Sequence, residues 1–195
     1  MMKTLLRLTV LSLLAVASSF AGSIFNVAID TSTIAGTTGS IYFSLFGFGD
    51  SQAATAVVSG FTPTAPLGSV VIEQNVAGSL ETALTLSYPG GFSDASQLRQ
   101  ISFGDLFQFT VALSTTPGEA LSFVVGIFDD EGFDLLPGNT EGPLISLDYP
   151  GEGSDWNPNL NAQEGVVSIS EVPEPGALGL AGLGLLAVGV IRLRR

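Results

Sequence analysis

Four stretches of this chain hold side chains whose types and spacing could do chemistry. Asp30-Thr31-Ser32 closes an apolar run with one carboxylate beside two hydroxyls. A strand-end turn capped by the Asp30 and Thr31 side chains accounts for the same residues. In Asp129-Asp130-Glu131-Gly132-Phe133-Asp134 the acids surround a glycine, and calcium takes several oxygen ligands from flexible loops of this kind. Asp129, Asp130, Glu131 and Asp134 are therefore the metal candidates, although their spacing is not that of the EF-hand loop and a solvated hairpin explains them equally well. Tyr149 and Trp156 flank a polar segment, where an exposed aromatic could stack on a sugar ring or, more commonly, cover one end of a core. Pro173-Glu174-Pro175 is stiff and extended, because each proline fixes φ and lacks an N–H, and a processing enzyme could read it as a strand.

Missing residue types narrow the chemistry further. The chain has no His and no Cys, and its one Lys is Lys3. Ser-His-Asp hydrolysis, cysteine nucleophiles, Schiff bases and zinc sites built on imidazole or thiolate each lose a required group. Glycoside hydrolysis needs only two carboxyls about 5 to 9 Å apart across a cleft. Among 18 acids some pair can always be chosen, so a hydrolase remains an alternative with no residues attached to it. The expectation is a protein that is not an enzyme, with no catalytic residue and no cofactor beyond calcium at the acidic loop.

The elements that would position these groups begin with the two ends. Residues 1–21 combine Lys3 and Arg7, an apolar run from Leu8 to Ala17, and the small-x-small site Ser19-Phe20-Ala21. This predicts a signal peptide cleaved after Ala21 and export through the Sec translocon. At the other end, residues 172–195 divide into Val172-Pro173-Glu174-Pro175-Gly176, an apolar stretch from Ala177 to Ile191, and a basic tail with Arg192, Arg194 and Arg195. The stretch lies at the short end of what spans a bilayer as a helix, and snorkelling arginines make the span feasible. Arginines next to such a segment stay on the cytoplasmic side, which leaves residues 22–171 outside the cytoplasm.

The order of Pro173-Glu174-Pro175, one hydrophobic helix and Arg192, Arg194 and Arg195 resembles the PEP-CTERM sorting signal of Gram-negative bacteria that make exopolysaccharide. The resemblance implies recognition by an exosortase, a membrane protease that processes the tail near the motif. It further implies a precursor held in the inner membrane with its bulk in the periplasm, then release to the cell surface or the extracellular, biofilm matrix. The body from Ser23 to about Ser170 opens with Asn26 to Ser32, then Ala35-Gly36 and Gly39-Ser40. It is similar to a small domain that recurs among proteins with this tag, which implies fold and tagging alone. The Asp30-Thr31-Ser32 stretch by itself is similar to the active-site loop of aspartic proteases, which implies two aspartates sharing a proton; with only one copy present, the second would have to come from a symmetric dimer.

Between the ends, composition points to an all-β fold. Residues 22–171 contain no Lys or Cys and are rich in Gly, Ser, Thr, Val, Ile and Phe. Alternation marks strands at Ile24–Asp30, Ser40–Leu45, Ser69–Glu73, Leu84–Tyr88, Phe107–Leu113, Leu121–Phe128, 143–149 and 165–170. Eight or nine short strands bounded by Gly, Pro, Asp and Ser describe an antiparallel, jelly-roll-like β-sandwich, with a barrel as the other arrangement. Phe25, Phe43, Phe107, Phe109, Phe123 and Phe128 are the expected core, and residues 151–163 a polar loop. All 18 acids lie between Asp30 and Glu174, where Arg99 is the one basic side chain. A surface of that sign repels phosphate, so nucleic acid is excluded as a partner, and Arg99 is expected to pair with a nearby carboxylate. The function these features predict is an exported surface or matrix protein associated with exopolysaccharide; the alternative is a carbohydrate-binding module.

Overall fold

A computed structural model of the chain describes residues 22–49, 51, 53–63, 65–114, 120–136, 142–151 and 154–173. These form twelve strands: β1 (Gly22–Asp30), β2 (Thr38–Gly47), β3 (Ala54–Pro63), β4 (Leu67–Gln74), β5 (Val76–Ser79), β6 (Ala83–Tyr88), β7 (Asp94–Ser102), β8 (Leu106–Ser114), β9 (Leu121–Phe128), β10 (Ile145–Tyr149), β11 (Asn157–Leu160) and β12 (Val167–Val172). One sheet has the order β12-β1-β8-β3-β6-β5 and the other β11-β10-β9-β2-β7-β4, and all pairs are antiparallel. The interleaving of β1-β8-β3-β6 in one sheet with β2-β7-β4 in the other is the jelly-roll pattern. Two separate sheets exclude the barrel.

Strands form where large apolar side chains fall on alternate positions. In β2, Ile41, Phe43 and Leu45 face inward; in β8, Phe107, Phe109, Val111 and Leu113 do so. Phe43 sits where the two sheets meet, with ring centroids of Phe109, Phe61 and Phe123 at 5.5, 6.3 and 6.3 Å. Edge-to-face packing on Phe109 suits the quadrupoles of both rings. Phe128 departs from the expected core. It occupies the outward position of β9, half-buried, and its ring fills the space where a side chain on Gly126 would stand.

Four strands escape the alternation test. β3 buries small Ala54 and Ala56 with Val58, and β5 is only four residues long. β7 turns Gln97 and Arg99 to the side that also faces Phe43 and Ile41. β11 lies inside the segment read as a polar loop. All four of its residues are exposed at a sheet edge, so no inward residue marks it, and Pro158 is tolerated because an edge position leaves its missing N–H without a ladder partner.

Gln97 is buried opposite Phe43, and its Oε1 has no hydrogen-bond partner. An unmet carbonyl in a core costs about 1–3 kcal/mol. Gln97→Met keeps the volume and removes that group, so it should raise unfolding stability by about 1 kcal/mol in urea titration.

Candidate functional site

The acidic loop follows β9 and closes on itself. Asp129 Oδ1 accepts the backbone N–H of Glu131 at 2.9 Å and of Phe133 at 2.8 Å. Asp129 N–H donates to the Phe133 carbonyl at 2.8 Å, and Gly132 takes the left-handed conformation that the turn requires. Asp130 Oδ2 accepts from Thr38 Oγ1 at 3.2 Å. Burial raises the Asp134 pKa, because desolvation disfavours the charged form. Among the described residues no three acidic side chains gather as a cation would need. Asp129, Asp130, Glu131 and Asp134, the residues of the calcium reading, do not form a cage in this arrangement: Asp129 Oδ1 is taken by its own loop backbone and Asp130 Oδ2 by Thr38.

Asp30 behaves as a turn cap. Its Oδ1 accepts the Ser32 N–H at 2.9 Å, and hydrogen bonds from Ser32 lower its pKa. A proton-sharing dyad would raise one of its two members instead. Thr31 is buried, with Oγ1 donating to the Gly104 carbonyl at 2.6 Å, so the motif ties β1 to the turn before β8.

Trp156 and Tyr149 are each 4% exposed. Their rings pack at 5.5 Å with 36° between planes and close the end of the core where β10 finishes. Neither ring offers a face to a sugar, which corrects the carbohydrate-contact reading in favour of a core cover. Other polar arrangements appear only with the fold. On the outer face of the β9–β10 pair, Asp148 Oδ1 accepts from Ser122 Oγ at 2.6 Å and from Ser146 Oγ. An open groove on the outer face of the first sheet is lined by Asn26, Thr62, Gln108, Thr110 and Ser168, with Thr110 Oγ1 donating to Asn26 Oδ1 at 2.9 Å. A second depression, at Thr38, Leu67, Gln100 and Ser102, contains Asp130 as its one acid. No signal in the sequence ties such residues together, since strand pairing brings them side by side.

Arg99 pairs with Glu81. It reaches from β7 in one sheet to the turn between β5 and β6 in the other, with Nη1 donating to Glu81 Oε2 at 2.8 Å and Nη2 to Oε1; Nε donates to the Gly68 carbonyl at 3.0 Å. The hydrogen bonds from Arg99 pull the Glu81 pKa down to about 2. A depressed carboxylate contributes stability above its unfolded pKa and loses it as pH falls through the folded one. The stability difference between wild type and Glu81→Gln should therefore be full above about pH 4.5 and vanish towards pH 2. Because the Glu81 side chain is 51% exposed, solvent screening keeps that difference below about 1 kcal/mol. Urea unfolding at stepped pH measures it.

The last described strand leads into the C-terminal motif. β12 is the edge of its sheet, where Glu171 opposes Phe25 and Val172 opposes Ile24, and Pro173 follows exposed. A family model, the PEP-CTERM protein-sorting motif, matches residues 171–195. The chain carries a PEP-CTERM sorting motif. No curated protein and no solved structure matches the chain. The motif makes this an exported protein sorted through an exosortase, the membrane protease that processes it, from a membrane-anchored precursor to the cell surface. Because the match starts at Glu171, the sorting signal overlaps the final two residues of a paired strand. Glu174, Pro175, the 177–191 stretch and Arg192, Arg194 and Arg195 lie outside the described residues, as do Ala21 and the leader before it. Among the described residues no helix is long and apolar enough to cross a membrane.

Proposed function

We propose that the acidic jelly-roll domain is a non-enzymatic surface or matrix protein that associates with exopolysaccharide after sorting. The leader 1–21 directs it through Sec and is cut after Ala21. The 177–191 helix then holds it, with Arg192, Arg194 and Arg195 cytoplasmic, until the exosortase acts near Pro173-Glu174-Pro175. The sorting motif at residues 171–195 is the observation that carries this reading. The side-chain chemistry supports the non-enzymatic part: Asp30, Glu81, Asp129 and Asp148 are engaged in turns, an ion pair and a hydroxyl cluster. Intact mass of the surface form, compared between cells with and without the sorting enzyme, tests the sorting. A mature mass that still includes Arg195 refutes removal of the tail.

The carbohydrate-binding alternative now rests on the groove at Asn26, Gln108 and Thr110, whose amide and hydroxyl groups could meet sugar hydroxyls. Pull-down of the protein on the cell's own exopolysaccharide tests association. Binding abolished by Gln108→Ala with unchanged stability favours the module, and no binding removes polysaccharide as the partner.

A further inference from the structure

Both ends of the described domain leave the sandwich at one pole. Gly22 starts β1 opposite Ser114, and Val172 ends β12 opposite Ile24 on the neighbouring strand. The loops β2–β3, β6–β7 and β8–β9 turn at the same pole, because β2, β6 and β8 finish there. They are braced together. Phe48 N–H donates to the Ala120 carbonyl at 3.1 Å, Ser51 Oγ to the same carbonyl at 3.0 Å, and Gly91 N–H to the Ser51 carbonyl at 3.3 Å. Tyr88 Oη donates to the Gly91 carbonyl at 2.6 Å, and Gly90 and Gly91 both take positive φ. This fixed frame pushes two phenyl rings outward: Phe92 is 97% exposed and Phe48 56%. Phe48 packs edge-on against Phe46 at 5.5 Å, and Phe92 stands free of the other described rings, so two phenyl groups project from this one pole.

We infer that this pole rests on the lipid bilayer of the precursor, with Phe48 and Phe92 immersed in the headgroup–acyl boundary. This inference rests on the reading that residues 177–191 hold the chain in the membrane. From Val172 to Ala177 there are five Cα–Cα steps, a reach of about 18 Å even when fully extended. The headgroup layer takes up about 5–8 Å of that reach. The pole that releases β12 is therefore held within about 10–13 Å of the bilayer surface, close enough to touch it, while the opposite pole stands a strand's length further away. The β6–β7 loop, Pro89-Gly90-Gly91-Phe92-Ser93, carries no charge, but Asp94, Asp155 and Glu171 lie at the same pole and the acidic 129–134 loop at the other, so the contact rests on the rings and the tether and not on charge. Apolar rings at the boundary gain by leaving water without needing basic partners. The lipid contact would hold the domain in one orientation, with the Pro173 motif facing a membrane-embedded protease.

The absence of cysteine gives a clean test, because one introduced thiol takes one environment-sensitive fluorophore. Phe48→Cys, Phe92→Cys and Phe133→Cys full chains are labelled and reconstituted in vesicles of phosphatidylcholine and phosphatidylglycerol. Phe133 is the control, an exposed phenyl (67%, between Phe48 and Phe92) at the opposite pole. The expected result is blue-shifted emission at positions 48 and 92, quenched by nitroxide on the lipid chains, and aqueous emission at 133 quenched only by iodide. Aqueous emission at all three positions on chains that float with the vesicles overturns the contact while the anchoring stands. Chains that do not float overturn the anchoring reading and the contact with it. All three substitutions are at exposed positions, and an unchanged far-UV spectrum confirms that each variant is folded.

Discussion

Phe43→Ala should lower the unfolding free energy by about 3–5 kcal/mol, the range for emptying a buried aromatic site. Domains of this size are stable by only about 5–15 kcal/mol in total, so the variant should sit near the edge of folding. The reason is geometric. Phe43 lies on β2, with β7 on one side and β9 on the other, and its ring meets Phe61 and Phe109 from the facing sheet as well as Phe123 from its own. Paired strands on both sides and a sheet opposite cannot collapse into the space, so the lost transfer energy and the cavity term both persist. Phe128→Ala is the contrast. That ring lies half-buried on the outer face and should cost about 1 kcal/mol or less, because solvent can fill its place. Urea unfolding followed by the emission of Trp156, the one tryptophan, measures both; equal losses would show that the core is not centred on β2.

The difference between those two rings also shows how far the sequence reaches. Period-two alternation located β1, β2, β8 and β9 because each presents large apolar residues inward, and it assigned Phe25, Phe43, Phe107, Phe109 and Phe123 to the core. It assigned Phe128 there as well, since alternation within β9 ends in a run in which both faces are apolar: Val124, Val125, Gly126, Ile127, Phe128. β3 packs with alanine where a reader looks for valine, and β7 places Gln97 and Arg99 inward, polar types that signal a surface. The candidate sites divided in the same way. The sorting motif is a linear string, so its residues are legible in order. The acidic loop is linear too, yet cation binding depends on where carboxylate oxygens point, and Asp129 points at its own backbone. Phe48 and Phe92 are ordinary loop residues until the topology brings their loops to the pole from which β12 leaves.

Trp156→Ala should cost about 3–5 kcal/mol and leave any binding of the folded protein unchanged, which separates a core role from a sugar platform. An exposed stacking residue loses affinity on truncation and little stability; a buried one does the reverse. Trp156 stands just before β11, whose own residues contribute nothing to the core, so its ring against Tyr149 does the covering at that end. Trp156→Phe refines the test. The indole Nε1 has no hydrogen-bond partner and is shielded from solvent, so its N–H is a desolvated donor that brings no compensating bond. Removing it returns about 1–3 kcal/mol, against the packing lost with the smaller ring. The phenylalanine variant should therefore lie within about 1 kcal/mol of wild type while the alanine variant falls far below it. A phenylalanine variant as unstable as the alanine one would mean that the N–H is bonded after all, and that Trp156 anchors β11 through polarity as well as bulk.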